Sequence, residues 1–199
     1  MSQYHTLRVI LGDQLNAAHS WFREHDQGVL YLIAELHPEA TYVKHHIQKL
    51  CAFFLAMEYF ANALKSANHQ VCYLTLDETK NQSLETVILT LAAKHKVTTI
   101  ELQRPDEYRV LQQYRSLESN TTKHSVRVVD SEHFLLPFDD ISQNFKPQHS
   151  VRMENFYRKM RQRFNILMDD DGQPEGGQWN YDSANRNKLK TKDLNAIPA

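Results

Sequence analysis

The sequence predicts an α/β fold: a doubly wound, mainly five-stranded parallel sheet with helices on both faces. Three observations lead there. Five short apolar runs rich in β-branched residues recur along the chain, and amphipathic helical patterns separate most of them, the alternation that builds parallel sheets. The runs are apolar at consecutive positions, as a strand covered on both faces requires. The 199 residues, 41% hydrophobic and 24% charged, are of ordinary globular composition and suffice for one well-buried domain.

Taken in order, Leu7–Leu11 reads as the first strand and ends at Gly12. Val29–Ala34 is the second, Gln70–Leu76 the third, Thr98–Leu102 the fourth and Val126–Val129 the fifth. A long helix is expected over roughly Pro38–Asn68, because Val43, Ile47, Leu50, Phe54, Met57, Phe60 and Leu64 follow at three- and four-residue spacing. Ser83–His95 is a second helix, opened by the capping-type Ser83, and Asp106–Ser119 a third. Right-handed crossovers then place helices on both faces of the sheet. Beyond the fifth strand, His133–Asp140 reads as a loop with apolar anchors. Val151–Met168 is a strongly amphipathic helix with Met153, Phe156, Met160, Phe164 and Leu167 on one stripe. Arg152, Arg158, Lys159, Arg161 and Arg163 lie off that stripe, either as a solvated face or as a surface for DNA phosphates or a neighbouring domain. Asp169–Asn187 holds three of the five glycines and reads as linker, and Lys188–Ala199 as a mobile tail. The expected division is an α/β domain over residues 1–168 and a linker over 169–199.

Composition closes off several functions. A net charge of −1 gives no support for binding DNA mainly through its phosphates. Cys51 and Cys72 form no CxxC pair and lie in apolar runs, so buried free thiols in a reducing cytoplasm are expected. The N-terminus lacks a signal-peptide pattern, and no run of 18 apolar residues exists. There is no GxGxxG or P-loop, which argues against a nucleotide held on a glycine-rich turn. The adjacent His45 and His46 point about 100° apart on a helix and suit packing or hydrogen bonding better than a shared metal.

In open α/β sheets, ligands bind beyond the carboxyl ends of the strands, where the strand order reverses. Gly12-Asp13-Gln14-Leu15 follows the first strand and Glu35–Glu39 follows the second. If these strands are neighbours, Asp13, Gln14 and Glu39 converge on one crevice suited to a polar heterocycle with a polyol chain. The plainer alternative makes Asp13 a helix cap and Glu39 a first-turn carboxylate favoured by the helix dipole. Phe53, Phe54, Tyr59 and Phe60 belong to the core pattern of the long helix, although one ring, Phe53 above all, can instead stack on a bound chromophore.

Four segments carry a resemblance. Arg8–Leu15 (RVILGDQL), Pro38–His46 (PEATYVKHH), Met153–Met168 (MENFYRKMRQRFNILM) and Gly176–Arg186 (GGQWNYDSANR) resemble the deoxyribodipyrimidine photolyase-related proteins, the iron–sulfur bacterial cryptochromes and prokaryotic (6-4) photolyases. The match runs over nearly the whole chain in one order, and its last two segments are the most specific. The resemblance implies a Rossmann-like N-terminal domain holding the antenna chromophore 6,7-dimethyl-8-ribityllumazine. It also implies a larger helical domain with FAD and a 4Fe-4S cluster on four cysteines, acting on damaged DNA. Carried over by motif, Asp13 and Glu39 are the leading chromophore contacts, with Gln14, Ala34 and Phe53 beside them. Two cysteines cannot hold the cluster and no FAD ligands are expected in these residues, so the chain by itself is expected to be catalytically inactive and to bind DNA weakly or not at all. Weak self-association through the surface around Trp179 and Tyr181, and partial disorder of Gly172–Ala199, are also expected. The competing functions are a chromophore-free regulatory or interaction module and a small nucleotide-binding protein.

Overall fold

A computed structural model describes residues 4–182, 187, 188, 190–195 and 197. The chain divides into two compact units, Met1–Phe134 and Leu135–Ala199.

The first unit is a five-stranded, all-parallel sheet of order β3-β2-β1-β4-β5. Its strands are β1 (Thr6–Val9), β2 (Val29–Ala34), β3 (Gln70–Leu74), β4 (Thr99–Gln103) and β5 (Ser125–Val129). Strand side chains alternate between faces, and both faces are covered. Leu7, Val9, Leu30, Leu32, Ile100 and Leu102 pack against α4 (Leu84–His95) and α5 (Tyr108–Asn120). Ile10, Val29, Tyr31 and Ile33 pack against α2 (Ile47–Ser66) and Trp21. The central strand β2 is accordingly apolar at every position, while β1 and β4 interrupt their apolar runs with Arg8 and Glu101.

The long helix expected from Pro38 is two helices. Short α1 (His37–Thr41) ends before α2 begins at Ile47. The break lies at His46, whose backbone is extended (φ −70°, ψ 139°) and whose ring Nδ1 accepts from the Gln48 backbone N–H at 3.2 Å. A histidine capping an amide replaces a helical turn there, which apolar periodicity does not reveal. The third strand stops two residues early because Thr75 and Glu78 form a capping box on short α3 (Leu76–Thr79). Ser83 caps α4 as its residue type suggests, with Oγ 3.2 Å from the Thr86 amide. Cys51 is exposed on the outer side of α2 and Cys72 is half-buried, which corrects the expectation of two buried thiols.

In the second unit, a 3-10 turn (Phe138–Asp140) leads into short α6 (Ile141–Asn144). Helix α7 (Met153–Phe164) is shorter than its apolar stripe implies, because Asn165 turns into the left-handed region (φ 51°) and closes it. The basic residues do not form one solvated face. Arg161 is buried beneath Trp179 and donates to the Ile166 and Leu167 carbonyls, while Arg158 pairs with Glu154 and Arg163 with Asp140. Nor is Asp169–Asn187 linker throughout. Met168 bridges Pro174, a 3-10 turn spans Glu175–Gly177, and the Tyr181 hydroxyl donates to the Gly176 carbonyl at 2.9 Å. The tail contains the short helix α8 (Thr191–Leu194), and residues 183–186, 189, 196, 198 and 199 of the expected mobile segment lie outside the described residues.

One ion pair crosses the centre of the sheet. Arg8 on β1 faces Glu101 on β4 and Tyr31 on β2 in direct register. Its Nε donates to Glu101 Oε2 at 2.8 Å, its Nη1 to the Tyr31 hydroxyl at 3.0 Å, and its guanidinium lies 5.1 Å from the Trp21 ring centre. With only 22% and 15% of the two charged side chains exposed, removing either partner strands the other. Arg8→Met is expected to cost about 2–3 kcal/mol in urea unfolding, and Arg8→Met with Glu101→Leu to recover most of it. Single-variant losses that simply add in the double variant would show that the two side chains do not depend on each other.

Candidate functional site

The strand order places β1 between β2 and β4, so the chain leaves it toward β2 and later returns on its other side as β4. A crevice opens at the carboxyl end of β1, where such sheets bind ligands. There the structure has a cavity of about 260 Å³, a little under the usual range for small-molecule sites. Its floor is apolar, built from the ends of β1 and β2 (Ile10, Leu32, Ala34) and the inner face of α2 (Leu50, Phe54, Met57). Asp13, Glu39 and Glu107 supply carboxylates, and Tyr42, His45 and Lys49 line the same cavity.

Of the five residues singled out in the sequence, Asp13, Ala34, Glu39 and Phe53 line this cavity together. Gln14 does not. It is buried and spends its amide on the backbone: Oε1 accepts from the Leu11 N–H at 3.1 Å, and Nε2 donates to the Gln103 and Arg104 carbonyls at 3.2 and 3.3 Å. Gln14 thus ties the β1 loop to the end of β4 and shapes the crevice from behind. Asp13 caps no helix, since turns follow it up to the 3-10 segment at Ser20–Phe22. Glu39 does stand in the first turn of α1, and both its oxygens accept from Arg109, at 2.9 Å from Nη1 and 2.5 Å from Nη2. Arg109 is also held by Glu107 and lies 4.6 Å from the Tyr42 ring centre, so it joins the α1 wall to the wall after β4.

Gly12 is favoured here by close approach, not by a left-handed backbone. A Cβ at this position would lie 2.9 Å from Met57 Sδ and 3.5 Å from Phe53 Cδ1. The missing side chain lets α2 lie against the β1 loop.

The site holds a displaced proton equilibrium. Asp13 sits at the rim, yet burial raises its carboxyl pKa above the ordinary value; its own backbone amide works the other way, Asp106 and Glu107 add to the rise and His133 opposes it. Behind the site, burial first and then the charges of Asp13 and Glu39 push the Tyr114 hydroxyl far up, so it stays protonated.

Sequence reasoning missed His45, Lys49, Tyr42 and the Glu107–Arg109 pair. A signal was present in the four-residue spacing of Lys49 and Phe53, which puts both on one side of the start of α2, with His45 just ahead of the helix. The Arg109 contact spans 70 residues and has no local signature.

Two substitutions test this geometry. Gly12→Ala is expected to cost about 1 kcal/mol in urea unfolding, limited by the flexibility of Met57, and to reduce the cavity. Asp13→Asn acts through linkage. A carboxyl with a raised native pKa stabilises fully below its unfolded value of about 3.9 and loses that contribution as pH rises through the native value. Asp13→Asn should therefore raise the melting temperature at pH 7, with the gain vanishing below about pH 4; a fall at pH 7 would contradict the raised value.

Comparison with known proteins gives a family. The model for deoxyribodipyrimidine photo-lyase-related proteins matches residues 8–199. The chain is 30% identical over 182 residues to a (6-4) photolyase of Agrobacterium fabrum (strain C58 / ATCC 33970), a match covering 90% of this chain and 36% of that protein. The chain thus spans about a third of the length of the curated relative it matches. With a family model matching almost from end to end on a doubly wound parallel sheet, the chain belongs to the deoxyribodipyrimidine photo-lyase-related family.

Proposed function

We propose that this chain is the antenna domain of a light-driven DNA repair protein and that its cavity binds 6,7-dimethyl-8-ribityllumazine. The observation that carries the reading is the convergence of Asp13, Ala34, Glu39 and Phe53 on one cavity at the carboxyl end of β1.

The residues fit such a group. A bicyclic ring finds an apolar floor and an aromatic face at Phe53, which is 41% exposed and so has ring surface to offer. Hydroxyls of a polyol chain find acceptors at Asp13 and Glu39. Bound there, the chromophore absorbs light and passes the excitation on. The chain's own part is to bind, orient and dry the ring. Glu39 is immobilised by the two-pronged Arg109 contact, and α2 is brought close by the absent side chain of Gly12.

The same residues do not fit FAD or an iron–sulfur cluster. A cavity of about 260 Å³ is too small for two heterocycles and a diphosphate. Cys51 on α2 and Cys72 on β3 are two thiols where a cluster needs four, and no group of three or more His, Cys, Asp or Glu positioned for a metal occurs among the described residues. DNA repair, FAD and the cluster therefore belong to our proposal for the whole protein and not to this chain alone, and a cytoplasmic setting follows from that proposal. No helix among the described residues is long and apolar enough to cross a membrane.

A chromophore-free interaction module is the second reading. It is favoured by the outer face of α2, where Ile47, Leu55 and Tyr59 are 64%, 53% and 75% exposed beside Cys51. Titration with 6,7-dimethyl-8-ribityllumazine, followed by absorption and fluorescence, separates the two. Saturable binding is expected in the unsubstituted chain, weakened at least tenfold by Asp13→Ala with Glu39→Ala, a loss of about 1.4 kcal/mol or more. No saturable binding would favour the interaction module.

A further inference from the structure

We propose that Lys49, with His45 beside it, forms a cationic edge that receives the carbonyl edge of the bound heterocycle and favours its ionised form. This rests on the lumazine reading given above.

The charged groups facing the cavity differ in how far they are already committed. Glu35 accepts from the Tyr73 hydroxyl and, at 3.0 Å, from the Leu76 N–H. Glu39 and Glu107 are both held by Arg109. Lys49 has no carboxylate partner among the described residues. Its ammonium lies 3.5 Å from His45 Nδ1 and 5.8 Å from the Phe53 ring centre, and Lys49, His45 and Phe53 all line the cavity.

The position of Lys49 is set by a continuous chain of contacts along one wall. Arg109 stacks on Tyr42 at 4.6 Å, Tyr42 meets His45 edge-on at 5.4 Å, His45 meets Lys49, and Lys49 meets Phe53. The cation is thereby kept beside the ring on which a planar ligand would stack. Local helix chemistry does not favour it there. Lys49 stands in the first turn of the 20-residue α2, which has no acidic residue in that turn, and a helix dipole disfavours a cation at its N-terminal end. Such a departure from local preference is expected at functional positions.

A pyrimidinedione ring offers two carbonyl oxygens. When it loses a proton to solvent, the negative charge spreads onto those oxygens. Lys49 lies on the side that would favour that form, with His45 steadying its ammonium, while Asp13, Glu35, Glu39 and Glu107 oppose it from elsewhere around the cavity. The balance predicts an orientation: carbonyl edge toward α2, polyol toward Asp13 and Glu39.

The test is a pH titration of lumazine absorption, bound to the unsubstituted chain, Lys49→Met and Lys49→Arg, with inorganic phosphate as competitor. For Lys49→Met we expect roughly threefold weaker binding, as for an exposed charge contact, and a midpoint for ligand ionisation about half a unit higher. Lys49→Arg should restore the midpoint. Unchanged affinity and midpoint in Lys49→Met would overturn the proposal and leave the lumazine reading standing. Phosphate, as an anion, should compete through Lys49, so competition undiminished in Lys49→Met would overturn the cationic edge. Absence of lumazine binding to the unsubstituted chain would remove the underlying reading, and this proposal with it.

Discussion

The structure depends on the position of β1. It pairs in parallel with β2 on one side and β4 on the other, so the connections on its two sides cross opposite faces of the sheet. The helix between β2 and β3 covers one face, and the helices after β3 and β4 cover the other. At the carboxyl end of β1, α2 lies against the Gly12 loop through Phe53 and Met57. The cavity is what remains there, and its walls come from whatever follows each of the three central strands: the Gly12 loop, α1 with the start of α2, and the segment from Pro105 to Val110. Topology makes the space, and side chains only decide what it accepts.

Polar interactions secure this arrangement at two levels. At mid-sheet, Arg8 joins β1 to β2 and β4 through Tyr31 and Glu101. At the strand ends, Gln14 joins the β1 loop to the residues closing β4, and Arg109 joins α1 to α5. Each link spans elements distant in sequence, so each constrains the relative position of walls that the backbone ladder alone would leave adjustable. A buried arginine in the second unit has the same character. Arg161 gathers Trp179 and two carbonyls that follow α7, turning a glycine-rich segment into folded structure.

Legibility in the sequence followed the range of the interaction. The five strands were readable from short runs rich in β-branched residues, most plainly Val29–Ala34, where burial on both faces writes itself into consecutive residues. Helix breaks were not readable, since His46 interrupts the helix by accepting one amide bond while the apolar spacing runs on across it. Gln14 looked like a ligand contact because a polar residue after a strand resembles a rim residue; only the carbonyls of residues 103 and 104, some 90 positions away, show where its amide is used. Arg161 looked solvated for the same reason. The exposure of Cys51 was hidden because α2 is apolar on its outer side as well as its inner one.

The bare Cα of Gly12 also has an evolutionary consequence. Every glycine codon is one base change from an alanine codon, and the added methyl group would fall against Met57 and Phe53, narrowing the cavity at the end of β1. Met57 can move aside, so the fold tolerates the change better than the cavity does. A relative with this architecture and a narrower crevice is therefore within a single mutational step.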